Sequence, residues 1–124
     1  MDAKERRQYK RMFFSMETGP VAVFTVPGMQ GKTISAIVMD LSVGGLGLSL
    51  RKDETIPIKM DDRMKLKEIK GEKNLRFVSD LEVYIRWVQN YKSFKHILFG
   101  CEFAEPSETV RNQIQEFISS WIRD

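Results

Sequence analysis

The sequence has one cysteine, Cys101, and one histidine, His96, among 124 residues. A lone cysteine excludes an internal disulfide, and a reduced, cytoplasmic setting is expected. A lone histidine excludes a two-histidine metal site. No apolar run approaches the roughly 18 residues of a spanning helix, so membrane insertion is not expected. The opening residues, MDAKERRQYKR, lack the apolar segment of a secretory signal. Excess charge is scarce too: the net charge is +3. Residues 1–11 hold five cations and two acids, so the rest of the chain carries fifteen of each. A neutral body with a basic leader points to a compact anionic partner, not to a broad DNA or RNA surface.

Catalytic patterns are also missing. Gly31-Lys32-Thr33 ends like a phosphate-binding loop, but Val26 stands where that motif needs its first glycine. The following TISAIVMDL reads as a strand, where the motif requires a helix. Cys101 lies in the apolar phase of its segment, as a buried and inert thiol would. Asp61 and Asp62 sit in a polar connection without metal-ligand spacing. No histidine can be placed beside Ser42. The chain is not expected to be an enzyme, and no cofactor or metal is expected.

Strand patterns are abundant. PVAVFTV (20–26) and TISAIVMDL (33–41) are rich in β-branched residues and flank turn chemistry at 27–32, which predicts a hairpin. GLGLSL (45–50) and RMKLKEI (63–69) alternate. DLEVYIRWV (80–88) places Leu81, Val83, Ile85 and Trp87 in one phase. HILFGCEFA (96–104) does the same for Ile97, Phe99, Cys101 and Phe103. The period then changes. Ser107 can cap a helix over about 107–122, with Val110, Ile114, Phe117, Ile118, Trp121 and Ile122 on one side. Six short strands and one amphipathic helix predict an all-β fold: a small closed antiparallel barrel with a C-terminal helix across one end or side. A flexible basic arm is expected over 1–19, and the barrel with its helix over 20–124.

Two features are unusual. The arm carries Arg6, Arg7 and Arg11, whose planar forks suit phosphate oxygens or guanine edges. The stretch DLSVGGLGLSL (40–50) puts Gly44, Gly45 and Gly47 inside or beside a strand, where glycine is normally costly. A barrel bend would need such glycines, and so would a ligand pressed close to the backbone. Asp40 can accept hydrogen bonds from a guanine edge, and Ser42 lies two residues on.

Arg7-x-x-x-Arg11, followed about thirty residues later by Asp40-x-Ser42-x-x-Gly45, resembles the two-part signature of PilZ domains, bacterial receptors for cyclic di-GMP. Gly100-x-x-Phe103 and the terminal helix are similar as well, so the resemblance covers nearly the whole chain. It implies a six-stranded PilZ-type barrel and a non-enzymatic, cytoplasmic receptor. Arg7 and Arg11 would bind guanine edges and phosphates. Asp40 and Ser42 would hold a guanine, while Gly45 keeps the surface open, with Gly44 beside it among the binding residues. Arg6 would add a phosphate contact or a stacking plane. For Trp87 two readings stand: packing in the core, as its phase suggests, or stacking on a base. The ligand would order the arm and present a surface to a downstream protein effector, with motility, adhesion or biofilm exopolysaccharide as outputs. A monomer or weak dimer is expected. The rival readings are a small single-stranded nucleic-acid-binding barrel and a ligand-free protein adaptor.

Overall fold

The computed structural model describes residues 11–15, 17–26, 31–52 and 58–122, the last two without their side chains. Seven strands run in chain order: β1 (Met12–Phe13), β2 (Val21–Thr25), β3 (Thr33–Leu41), β4 (Gly45–Arg51), β5 (Arg63–Lys70), β6 (Ser79–Gln89) and β7 (His96–Phe103). A 3₁₀ turn covers Lys73–Leu75 and one helix, α1, covers Glu108–Ile122. The strands pair in the order β3–β2–β5–β6–β7–β4, and β4 pairs back onto β3. Every pairing is antiparallel, and six strands close into a barrel in which only the end of β3 runs past its neighbour β2. The expected fold class holds.

The extra strand is β1. It pairs Met12 with Leu41 and Phe13 with Asp40, extending the edge of β3 beyond the stretch covered by β2. Met12 is buried, whereas Phe13 stays exposed. The described part of the leader thus lies against the barrel from Arg11 onward.

The core follows the pleat. Ala22 and Phe24, Ile34, Ala36 and Val38, Leu46, Leu48 and Leu50, Met64 and Leu66, Val83 and Ile85, and Phe99, Cys101 and Phe103 all bury inward. Each large side chain among them contributes about 1.5–3 kcal/mol of transfer free energy. Ile114, Phe117 and Ile118 bury the apolar stripe of α1, which touches β1 and the 3₁₀ turn. The Val110 amide donates to the Ser107 hydroxyl at 3.2 Å, the expected N-cap.

Three β-bulges interrupt the ladders: Lys67 is extra on β5 opposite β2, and the other two lie on β3 and β6. On β3, Val38 faces Leu48 but Asp40 faces Gly47, so Met39 is an extra residue. On β6, Ile85 faces Cys101 but Trp87 faces Gly100, so Arg86 is extra. An extra residue in one strand shifts the side-chain phase of everything beyond it.

Candidate functional site

By strict alternation Asp40 would follow Ile34, Ala36 and Val38 into the core. The bulge at Met39 turns it to the outer face, where its carboxylate lies over Gly47. A Cβ on Gly47 would stand 2.7 Å from Asp40 Oδ2. Trp87 would likewise follow Val83 and Ile85 inward, and the bulge at Arg86 turns it out. It is 37% exposed, and its indole lies over Gly100, where a Cβ would run into the ring. Core packing of Trp87 is therefore overturned: the phase argument assumed an unbroken ladder.

The two bulges act on one row. Asp40 faces Gly47, Gly47 faces Gly100, and Gly100 faces Trp87. Three strand spacings separate the ends of this row, about 14 Å. The two inner positions are glycine, and the Asp40 carboxylate lies across Gly47 while the Trp87 indole lies across Gly100. The resulting cavity, about 260 Å³, is lined by Arg11, Asp40, Ser42, Gly44, Gly45, Gly47, Arg86, Trp87, Gly100 and Glu102, with Leu46 and Cys101 beneath. Glycine at both positions lets the carboxylate and the indole lie down along the wall, where a ligand can meet both.

The turn joining β3 to β4 supplies the rest. The Ser42 amide donates to the Gly45 carbonyl at 2.9 Å, and the Gly44 amide donates to the Ser42 hydroxyl oxygen at 3.1 Å. The Ser42 hydroxyl keeps its proton for another acceptor. A Cβ on Gly45 would strike the Cys101 carbonyl, so β7 itself requires glycine there. The glycines thus answer to contacts within the barrel and not to the two causes considered from the sequence: Gly45 to the close approach of the β7 backbone, and Gly47 to the Asp40 side chain laid across it.

Charge is arranged around two arginines. Arg11 Nη1 stands 3.7 Å from Asp40 Oδ1. Burial raises the Asp40 pKa above its ordinary value, and the Arg11 charge and a Gly47 amide hydrogen bond hold it down only in part. On the other wall, Arg86 Nη2 stands 2.7 Å from Glu102 Oε1 and Arg86 Nη1 stands 3.4 Å from Asp61 Oδ1. The Cys101 thiol below the floor is pushed up to about 12 by burial, and so is inert, as expected. Among the described residues no cluster of three His, Cys, Asp or Glu side chains is placed for a metal ion.

The structure therefore brings together Arg11, Asp40, Ser42, Gly44, Gly45 and Trp87 out of the residues expected at a site. Arg6 and Arg7 lie outside the described residues. The sequence reading missed Gly47 and Gly100 as floor, and Arg86 and Glu102 as wall. The available signal was the opposition of Gly47 and Gly100, visible only once the β4–β7 register is known.

A closed antiparallel barrel with a glycine-floored, arginine-lined cavity on its outer wall defines a small ligand-binding module. The family model of the PilZ domain matches residues 5–120, and the chain belongs to the PilZ family. Its fold is similar to the PilZ domain with c-di-GMP of YcgR from Escherichia coli, with a TM-score of 0.71 and 20% identity over 93% of this chain and 90% of that one. The K. pneumonia MrkH–c-di-GMP complex matches with a TM-score of 0.70 and 16% identity, over 94% of this chain and 52% of that one. The Bacillus subtilis inhibitor of motility, MotI/DgrA, matches with a TM-score of 0.68 and 18% identity, over 96% and 53%. This chain spans about half of the latter two proteins. No curated protein matches the sequence.

Proposed function

We propose that this chain is a non-enzymatic receptor for cyclic di-GMP. The observation that carries the reading is the Asp40–Gly47–Gly100–Trp87 row in a PilZ barrel, with Arg11 beside it. A guanine Watson–Crick edge presents two adjacent N–H donors, which match the ionised Asp40 carboxylate. The Trp87 indole offers an apolar face to a base. Arg11 already faces Asp40, so a guanine that takes up the carboxylate leaves the guanidinium for a phosphate oxygen. The Ser42 hydroxyl proton is available to a ligand acceptor.

Arg6 and Arg7 would complete the phosphate contacts from the leader. Five cations in eleven residues repel one another, and a dianionic ligand relieves that repulsion. Binding would draw the leader over the cavity and create a surface for a downstream protein effector. The switch works because the ligand prefers the closed arrangement. Motility or biofilm control is the output this reading suggests, in line with the MotI name.

Calorimetry with cyclic di-GMP tests it. The wild-type protein should bind at micromolar concentration or tighter, and Arg7→Ala and Asp40→Ala should each weaken binding by about tenfold or more. Quenching of tryptophan fluorescence should persist in Trp121→Phe and vanish in Trp87→Phe. Absence of binding, or equal affinity for unrelated oligonucleotides, overturns the proposal.

A further inference from the structure

The β6 bulge exposes two consecutive residues on one face, Arg86 and Trp87, where an unbroken strand would show only one. Trp87 has a role in the reading above; Arg86 has none. Yet Arg86 lines the same cavity. Its Nε donates to Glu102 Oε1 at 2.8 Å, its Nη1 donates to Asp61 Oδ1 at 3.4 Å, and its guanidinium lies 5.2 Å from the centroid of the Tyr84 ring. Both carboxylates are more than half exposed, at 53% for Glu102 and 72% for Asp61. Ion pairs this exposed add little to folding, so stability alone is a poor reason to place three charges there.

The pair instead mirrors the opposite wall. On each side of the glycine floor one arginine is held by an acid: Arg11 by Asp40, and Arg86 by Glu102. Resting on the cyclic di-GMP reading, we propose that Arg86 is a further ligand-binding residue that takes a phosphate oxygen, and that Glu102 and Asp61 compete with that phosphate for it. The two carboxylates outnumber the one guanidinium and fully compensate its charge. They also set a threshold, because the ligand must offer the guanidinium a better acceptor than Glu102 does. A phosphodiester does so only when its bases already hold it between Asp40 and Trp87. Free phosphate or an unanchored anion lacks that help, so the competition sharpens selectivity.

Calorimetry with cyclic di-GMP on Arg86→Ala, Arg86→Lys, Glu102→Gln and the Arg86→Ala/Glu102→Gln double variant tests this, with Asp40→Ala as reference. Arg86→Ala should weaken binding by about tenfold to a hundredfold, the range of a hydrogen bond to a charged group. Arg86→Lys should retain part of the affinity, since it keeps the charge and loses the fork. Glu102→Gln should tighten binding by about two- to fivefold. In the Arg86→Ala background the Glu102 change should have no effect. Arg86→Ala within twofold of wild type, alongside loss of binding in Asp40→Ala, overturns this inference and leaves the receptor reading standing. Weaker binding by Glu102→Gln overturns the competition. A wild-type protein that ignores cyclic di-GMP overturns the receptor reading itself. Melting curves identify any variant that fails to fold, and Arg86→Lys and Glu102→Gln keep the test decisive in that case.

Discussion

Asp40 is a carboxylate asked to accept hydrogen bonds from a half-buried position, and its titration carries a testable sign. Burial is the largest influence and raises its pKa, while Arg11 and the Gly47 amide offset part of that rise. A protonated Asp40 would present a donor to guanine donors, so binding needs the ionised form. Affinity should therefore be full above the raised pKa and fall as pH drops through it, at a higher pH than for a surface aspartate. For folding the sign is opposite. The native carboxyl holds its proton more tightly than the unfolded chain does. This group therefore adds stability below 3.8 that is lost as pH rises through its raised value. Calorimetry from about pH 7 to about pH 4 should show the loss of affinity in wild type. Asp40→Asn should bind weakly and show no such dependence. A wild-type affinity flat down to the ordinary aspartate range would contradict the role given to Asp40. Arg11, Asp40, Ser42, Gly44 and Gly45 stood out in the sequence as site residues and meet at this cavity, but Gly47, Arg86, Gly100 and Glu102 did not, and neither did the direction of Trp87. Its phase with Val83 and Ile85 pointed inward, and one inserted residue, Arg86, reversed it.

At the scale of elements, the strands were legible because alternation and β-branching mark them independently of their partners. The stretch 33–41 coincides with β3, and the others agree within one or two residues. β1 was not legible. Two residues carry no period, and Met12–Phe13 form a strand only because the end of β3 offers an open edge. Bulges escape the same way, since they are properties of a pair of strands. The helix was legible through its cap and stripe. Ser107→Ala removes the cap that accepts the Val110 amide and should cost about 1 kcal/mol. That lowers the melting temperature by about 4 °C for a domain of this size. Affinity for cyclic di-GMP should stay within twofold, because α1 lines no part of the cavity. A calorimetric melt and a titration on the same sample check both halves. A large loss of affinity would show that α1 is coupled to the site through β1, which it touches.

Closure of the barrel is a whole-molecule property, and it makes the site. Asp40 and Trp87 are 47 positions apart in sequence. They share a row because β4 and β7, distant in sequence, become neighbours between β3 and β6. The same feature makes ligand binding and folding inseparable. A chain that has lost the β4–β7 pairing has neither floor nor opposed walls, so on the proposed function cyclic di-GMP should bind the native state alone. At a ligand concentration one hundred times the dissociation constant, mass action then adds about 2.7 kcal/mol. For a domain of this length that should raise the melting temperature by about 10 °C. Cyclic di-AMP is the informative control. It carries the same phosphates, but adenine lacks guanine's N1–H and N2 amino donors and turns a ring nitrogen acceptor toward Asp40. Its shift at the same concentration should be below about 2 °C. A single-stranded oligonucleotide should stabilise only at low salt, because charge alone would attract it. Equal shifts from the two cyclic dinucleotides would mean that phosphate contacts dominate and that the Asp40 wall reads nothing. A shift that grows with oligonucleotide length and collapses in salt would instead assign the cavity to single-stranded nucleic acid.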